Sequence, residues 1–245
     1  KDDGNEFIAY PDKTSDEDEL VSRARGAEIV MIANNPLPDS VITQLPQLKY
    51  IAVAFTGIDH VGLNACRKQH VVVSNCAGYS DTSVAELTVG LTLDVLRKVL
   101  LGDTAARMGK TSAGLVGQEI TGKTVGLIGT GRIGSAVAKL FTAFGATVLG
   151  YARHTSQTAI DAGVTFVSEE DLLKQSDIVS LHLPLNDQTK KSFGAAQFAQ
   201  MKDGAVFINC ARGAIVDNEA LAYALRSGKL AGAGVDVFDV EPPLP

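Results

Sequence analysis

The amino-acid sequence predicts an α/β protein with parallel sheets and two structural units. Short apolar runs alternate with helical patterns in both halves of the chain, and a glycine-rich turn joins a strand to a helix within residues 123–153. A long helical pattern, Asp81–Leu101, separates the two halves. Strands that alternate with helices favour parallel pairing, because each helix returns the chain to the same edge of the sheet. We therefore expect one unit in residues 1–80 and a second in residues 81–245.

Composition excludes several classes of partner. The chain has 245 residues and a net charge of −6, with no basic stripe, which argues against nucleic-acid binding. No apolar run reaches the length of a membrane span, so we expect no membrane partner. The three cysteines are odd in number and lack metal-ligand spacing. They predict reduced thiols in a cytoplasmic protein without a metal site.

The periodicity of apolar residues and the positions of turn residues predict the strands and helices of the first unit. Apolar runs predict strands at Glu6–Tyr10, Glu28–Ala33, Tyr50–Ala54 and Val71–Ser74. We expect Glu28–Ala33 to be buried. Helical patterns lie at Thr14–Arg25 (capped by Thr14 or Ser15), Asp39–Gln44 and Leu63–Gln69.

The long helical pattern carries a capping signature at its start. Ser83 is followed three residues later by Glu86, the spacing of a capping box. Because Asp81–Leu101 is apolar over much of its circumference, we expect it to be buried between the units or in a dimer interface. The glycine-rich stretch Gly102–Gly122 shows no period and is predicted to be an irregular arm.

The second unit is organised around a glycine-rich turn. The apolar run Val125–Ile128 leads into Gly129, Gly131 and Gly134, and a helical pattern at Ser135–Phe144 and a strand at Thr147–Tyr151 follow. In this setting the first glycine permits a tight turn, the second lets a pyrophosphate approach the backbone, and the third lets the helix lie close to the strand. The free N–H groups at the helix N-terminus favour a diphosphate there. We interpret this stretch as a dinucleotide site.

The α/β rhythm continues to the end of the chain. Further helices are predicted at Glu169–Gln175 (capped by Ser168), Ala195–Met201 and Asn218–Arg226. Further strands are predicted at Asp177–Leu183, Ala205–Asn209 and Gly232–Val237.

The residues after the second strand of this unit bear on cofactor choice. An NAD site has an acidic residue there to bind the ribose hydroxyls. Here the position is Ala152, followed by Arg153, His154, Thr155 and Ser156. A missing carboxylate no longer repels a 2′-phosphate, and a guanidinium can neutralise one. The pattern favours NADP(H), while NAD(H) stays open.

Five blocks in a fixed order resemble the D-isomer-specific 2-hydroxyacid dehydrogenases, over nearly the whole chain. They are Ser74–Ser80 with Ser83–Glu86, Gly126–Gly134, Ser180–Leu185 with Thr189, Ile208–Leu221, and Gly234–Pro242. The resemblance implies a flavodoxin-like substrate domain in residues 1–80 and a Rossmann-type dinucleotide-binding domain in 81–245, with the active site in the cleft between them. It also implies a homodimer.

The resemblance assigns roles to individual residues. Arg212, which follows a strand, matches the family's substrate-binding arginine, and a guanidinium can grip a carboxylate through two bonds. Glu241 matches the catalytic glutamate that orients a histidine. The substrate loops would be Thr56, Gly57, Gly78 and Tyr79, although Tyr79 fits an ordinary packing role equally well. The cofactor residues would be Gly129, Gly131, Arg132, Ile133, Gly134, Ala152, Arg153, His154, Thr155, Leu183, Pro184, Thr189, Cys210, Ala211 and Asp236.

Two departures from the family pattern qualify this resemblance. The family's catalytic histidine follows the Glu-Pro motif, and none of His60, His70, His154 and His182 matches its position. The family also begins with a strand and a helix that precede the first residues here. We therefore expect the chain to be truncated at both ends.

The predicted function is reduction of a small 2-oxo acid to a D-2-hydroxy acid by hydride transfer from NADPH or NADH. Glyoxylate, hydroxypyruvate, pyruvate and 2-ketogluconate all stay open as substrates. One alternative is a nucleotide-sensing interaction protein like the corepressor branch of the same family. Another is a non-catalytic fragment that still binds a dinucleotide.

Overall fold

The computed structural model describes residue 4 and residues 6–240, which form two compact units that divide between Tyr79 and Ser80. Parallel strands and intervening helices build both units. The predicted α/β class with parallel sheets is confirmed. Glu241, predicted to be catalytic, lies outside the described residues.

The first unit is a three-stranded parallel sheet with helices on one face. Its strands, in the order β1-β2-β3, are β1 (Ile29–Ile32), β2 (Tyr50–Val53) and β3 (Val72–Asn75). Its helices are α1 (Glu17–Ala24), α2 (Asp39–Ile42) and α3 (Leu63–Gln69). Ile51 and Val53 of β2 are buried in one apolar core with residues of all three helices.

Three predictions for this unit are wrong. Glu6–Tyr10 forms no strand, and Phe7 and Ile8 are exposed. An apolar run forms a strand only where a second strand lies beside it to pair with. The cap of α1 is Asp16, whose carboxylate accepts from the Glu19 N–H at 2.9 Å, rather than Thr14 or Ser15. The β1 strand, expected to be buried, has no fully buried residue.

The long helical pattern of the sequence is two helices, α4 (Asp81–Arg97) and α5 (Val99–Arg107). Lys98 between them is left-handed, with φ 52°, and the Asp94 carboxylate accepts from the Leu100 N–H at 3.0 Å. The predicted capping box is also wrong, because the Ser83 hydroxyl donates to the Ser80 carbonyl instead of capping the helix. Residues 99–107, expected to be irregular beyond Gly102, are helical.

The second unit is a six-stranded parallel sheet between two layers of helices. Its strands are β4 (Thr124–Ile128), β5 (Thr147–Tyr151), β6 (Val164–Phe166), β7 (Ile178–Leu181), β8 (Ala205–Asn209) and β9 (Leu230–Val235). The further helices are α6 (Arg132–Ala143), α7 (Gln157–Asp161), α8 (Glu169–Gln175), α9 (Ala195–Gln200) and α10 (Asn218–Arg226), with a 3-10 turn at Gly213–Ile215. Helix α8 begins after Ser168 as predicted, whereas α7 and β6 were not predicted.

The strand order β6-β5-β4-β7-β8-β9 is that of a dinucleotide-binding fold. Residues on one face of the sheet, such as Leu127 and Ile208, pack with α4 and α6, and those on the other face, such as Phe207, pack with α8 to α10. The chain leaves β4 toward β5 on one side and later returns to β7 on the other. This reversal opens a crevice at the carboxyl ends of β4 and β7, where such folds bind ligands.

Candidate active site

The glycine-rich turn lies at the carboxyl end of β4 and leads directly into α6. Gly129 has φ +96°, and a Cβ there would clash with the His182 carbonyl. A Cβ on Gly134 would clash with the Gly129 carbonyl, so this glycine lets α6 approach the strand. The tight turn and the close packing predicted for these two glycines are therefore present.

Gly131 differs from the other two glycines, because nothing lies within 4 Å of a Cβ built on it. It precedes the first residue of α6, whose first N–H groups have no partner within the helix. Open space before unpaired donors at a helix N-terminus suits an anionic group. The geometry therefore fits the diphosphate of a dinucleotide.

Arg132 and Ile133 form the first turn of α6. The Arg132 Nε donates to the Asp81 carboxylate at 2.8 Å, which links the first residues of α6 and α4. Ile133 is half-buried and packs against the core. The sequence did not reveal Asp81 as a partner, because the two residues lie 51 positions apart.

The predicted ribose segment follows β5. Ala152 is half-buried, and Arg153, His154 and Thr155 are exposed. Ser156 ends the segment by accepting from the Ala159 N–H at 3.2 Å, which starts α7. The Arg153 Nη1 donates to the Gln188 side chain at 2.9 Å. This contact crosses from the loop after β5 to the loop after β7 and was not predicted.

His182 begins the loop after β7 and lies beside the glycine turn. Its N–H donates to the Ile128 carbonyl at 2.8 Å, and its Nε2 lies 3.0 Å from the Ser180 hydroxyl. Burial lowers the pKa of His182 to about 4, so the imidazole is neutral near pH 7. A neutral ring beside the Ser180 hydroxyl fits a structural role for His182.

The rest of the β7 loop is fixed by its own side chains. Leu183 packs on the core and Pro184 is exposed. The Thr189 hydroxyl donates to the Pro184 carbonyl at 2.6 Å, and the Asn186 carboxamide oxygen accepts from the N–H groups of Gln188 and Thr189. The three predicted residues Leu183, Pro184 and Thr189 thus belong to one ordered loop at the edge that carries the glycine turn.

Arg212 lies in a tight turn at the carboxyl end of β8. Asn209, the last residue of that strand, is buried; its side chain accepts from the Ala211 N–H and donates to the Arg212 carbonyl, both at 3.0 Å. The Arg212 Nη1 donates to the Ala211 carbonyl at 2.7 Å. Sequence reasoning missed Asn209, although an asparagine at a strand end is a known turn signal.

Two more predicted residues lie beside this turn. Cys210 is buried, which raises the pKa of its thiol. Its side chain therefore behaves as a packed small residue. The Asp236 N–H donates to the Asn209 carbonyl at 3.0 Å and continues the pairing of β9 with β8.

The predicted substrate loops lie together within the first unit. Thr56 and Gly57 follow β2, and the Thr56 carbonyl accepts from the Asn75 side chain at 2.7 Å. Gly78 has φ +102°. The Tyr79 ring is exposed and contacts Phe55 edge-on, with 6.2 Å between the centroids. Both loops therefore lie at the carboxyl edge of the three-stranded sheet.

The comparisons with known proteins agree with this geometry. Residues 89–245 match the family model described as the D-isomer specific 2-hydroxyacid dehydrogenase, NAD binding domain. Hydroxypyruvate reductase from Thermotoga maritima is 37% identical over 93% of this chain and 74% of its own length. The chain belongs to the D-isomer-specific 2-hydroxyacid dehydrogenase family. The predicted family and the nicotinamide-dinucleotide-binding type of the second unit are confirmed.

Other relatives of this chain differ from one another in length and in the ligands with which they were solved. D-3-phosphoglycerate dehydrogenase from Methanocaldococcus jannaschii is 36% identical over 92% of the chain, which spans only 44% of that protein. D-lactate dehydrogenase from Aquifex aeolicus, solved with NAD and lactic acid, has a TM-score of 0.85 at 34% identity, covering 91% of this chain and 67% of the other. An acyclic imino acid reductase solved with NADPH and D-Arg has a TM-score of 0.86 at 32% identity, covering 94% and 75%.

No helix within residues 6–240 is both long and apolar enough to cross a membrane.

Proposed function

We propose that this chain supplies the cofactor site and the substrate arginine of an enzyme that reduces a small 2-oxo acid to a D-2-hydroxy acid, with NADPH preferred over NADH. The observation that carries the proposal is the position of Arg212. Its turn is held by Asn209 at the edge of the sheet that also carries the glycine turn. A planar cation beside a dinucleotide site is what the substrate's carboxylate requires.

The chemistry divides between the cofactor and the protein. When bound, the reduced nicotinamide supplies the hydride. Arg212 would hold the carboxylate of the substrate and polarise the neighbouring carbonyl. Thr56, Gly57, Gly78 and Tyr79 keep, in this proposal, the substrate-binding role that the family resemblance gives them. Glu241 would orient an imidazole and favour its protonated form, which would then donate a proton to the carbonyl oxygen. None of the four histidines of this chain matches that proton donor.

The preference for NADPH is supported by the segment after β5. Ala152 stands where a carboxylate would bind the ribose hydroxyls, and the Arg153 guanidinium is exposed beside it. A 2′-phosphate would meet a cation and the hydroxyl of Thr155 there, with no acidic side chain at position 152 to repel it. NADH would lack the phosphate contacts but would keep the diphosphate site at α6.

The first experiment measures the dissociation constants of NADPH and NADH by cofactor fluorescence, for the parent chain and for Ala152→Asp. We expect tighter binding of NADPH to the parent and an inverted preference in the variant, because the new carboxylate repels a 2′-phosphate and accepts ribose hydroxyls. Preference of the parent for NADH would refute the NADPH assignment and leave the dehydrogenase proposal intact. If neither cofactor binds, the proposed cofactor site is wrong for this chain.

A second arm tests Arg212. Turnover of glyoxylate, hydroxypyruvate and pyruvate is measured with this chain and with any longer protein that contains it. Arg212→Lys should abolish turnover while leaving NADPH binding unchanged, because lysine cannot form the two parallel bonds of a guanidinium. Absence of turnover of every 2-oxo acid by a longer protein that also supplies the histidine, together with intact NADPH binding, would favour a nucleotide-sensing role.

Assembly and location complete the proposal. Val99, Leu100 and Leu101 of α5 are exposed apolar residues, which supports a homodimer formed through this helix. The measurement is the molar mass in solution, for the parent and for Leu100→Asp.

The exposed free thiol of Cys76 supports a reducing, cytoplasmic location.

A further inference from the structure

Arg153 and Gln188 meet across the carboxyl end of a strand to which neither belongs. Arg153 follows β5 and Gln188 lies in the loop after β7, while β4 lies between those two strands in the sheet. The Arg153 Nη1 donates to the Gln188 Oε1 at 2.9 Å. The pair therefore spans the end of β4, where the glycine turn begins.

The Gln188 side of this contact stands on a fixed loop. The Gln188 N–H donates to the Asn186 side-chain oxygen at 2.9 Å, and the same oxygen accepts from the Thr189 N–H at 3.1 Å. The Thr189 hydroxyl closes the loop by donating to the Pro184 carbonyl. The backbone of Gln188 is thus held in place, and its carboxamide oxygen faces Arg153.

We propose that Gln188 is a positioning residue that holds the Arg153 guanidinium ready for the 2′-phosphate of NADPH. This inference rests on the proposed preference for NADPH. A guanidinium carries five N–H donors in a rigid fork, so one bond from Nη1 to Gln188 leaves others for a phosphate. A neutral carboxamide suits this role, because a carboxylate at position 188 would neutralise the arginine and repel the phosphate.

A merely structural contact predicts a different result. Both side chains are exposed, and exposed substitutions away from special features change the free energy of unfolding very little. If the Gln188 side chain were an exposed group with no role in binding, its removal would leave both stability and cofactor binding unchanged. If it supported the loop itself, its removal would weaken NADPH and NADH alike. Positioning predicts a loss that is confined to NADPH and that disappears when Arg153 is absent.

The test variant is Gln188→Met, which keeps the length of the side chain and removes the acceptor. We expect the dissociation constant of NADPH to rise about threefold to tenfold, because a free arginine side chain must then be immobilised when the cofactor binds. The dissociation constant of NADH should not change, because NADH has no 2′-phosphate. Gln200→Met, the same substitution at an exposed glutamine on α9, is the matched control and should leave both constants unchanged. The thermal midpoint verifies that each variant is folded.

Combining Gln188→Met with Arg153→Ala separates this inference from the proposal beneath it. Arg153→Ala should raise the dissociation constant of NADPH about tenfold or more, and adding Gln188→Met should then have no further effect on it. If Arg153→Ala leaves NADPH binding unchanged, the proposed preference and the role of Gln188 both fail. If Arg153→Ala weakens NADPH but Gln188→Met does not, or weakens both cofactors equally, only the role of Gln188 is overturned.

Discussion

The two sheets of this protein are both parallel but differ in how they are covered. The six-stranded sheet has helices on both faces, and every residue of β7 and β8 is buried. The three-stranded sheet has helices on one face only. Its other face presents Ile29 and Met31, which are 63% and 67% exposed.

The register explains this open face. Ile29 pairs with Tyr50, and Tyr50 pairs with Val72, so these side chains lie in one row on the same side of the sheet. Val72 is also exposed, whereas Ile51 and Val53, which point to the other side, are buried. Parallel sheets are usually covered on both faces. An apolar strand is therefore buried only where a helix lies over it, and strand composition alone does not reveal which faces are covered.

Removing an aromatic side chain from the covered sheet should have the largest effect. Phe207 of β8 is fully buried, and its ring centroid lies 5.0 Å from that of Phe193 and 5.2 Å from that of Phe198. We expect Phe207→Ala to lower the free energy of unfolding by about 3–5 kcal/mol, since it leaves a cavity between the sheet and the layer of α8 to α10. Hydrogen exchange resolved along the chain measures this loss separately in each unit. A loss confined to residues 6–79 would contradict the assignment of this core to the second unit.

Titration of His182, which lies at the edge of the same sheet, should have an intermediate effect on the free energy of unfolding. Because burial lowers the pKa of His182 to about 4 from its usual 6.5, the unfolded chain binds a proton between these pH values and the folded chain does not. The free energy of unfolding should therefore fall as the pH drops from 6.5 to 4, by up to about 3 kcal/mol from this residue. This contribution is constant above pH 6.5. Unfolding of the parent and of His182→Asn in denaturant at several pH values measures it as the difference in slope, and equal slopes would mean that His182 is solvated.

Local signals in the sequence predicted the second unit better than the first. Gly129, Gly131 and Gly134 indicated the strand, turn and helix around them, and Ser168 marked the start of α8, because these features depend on neighbouring residues only. The break at Lys98 could not be predicted, since the apolar pattern runs through it and the bond from Leu100 to Asp94 depends on a side-chain conformation. The run Glu6–Tyr10 has strand composition, but pairing is a property of two segments.

The same limit applies to the candidate site. Arg153 was singled out because it follows Ala152, where an NAD site has an acidic residue. Arg212 was singled out because the family resemblance places the substrate-binding arginine there. Their partners depend on how the loops are arranged. Gln188 lies 35 positions from Arg153, and only the strand order brings them together. Asn209 lies three positions from Arg212 and could have been inferred as a turn former, so this omission was one of interpretation.

The smallest effect is expected on the open face of the three-stranded sheet. Met31→Ser should change the free energy of unfolding of the first unit by no more than about 0.5 kcal/mol, because the side chain is already largely in water. Ile51→Ala, on the opposite face of the neighbouring strand, is the control and should cost about 2–5 kcal/mol, because Ile51 is fully buried. Hydrogen exchange of residues 29–75 measures both variants. A loss for Met31→Ser as large as that for Ile51→Ala would mean that something covers this face in the folded protein, and the difference between the two sheets would then disappear.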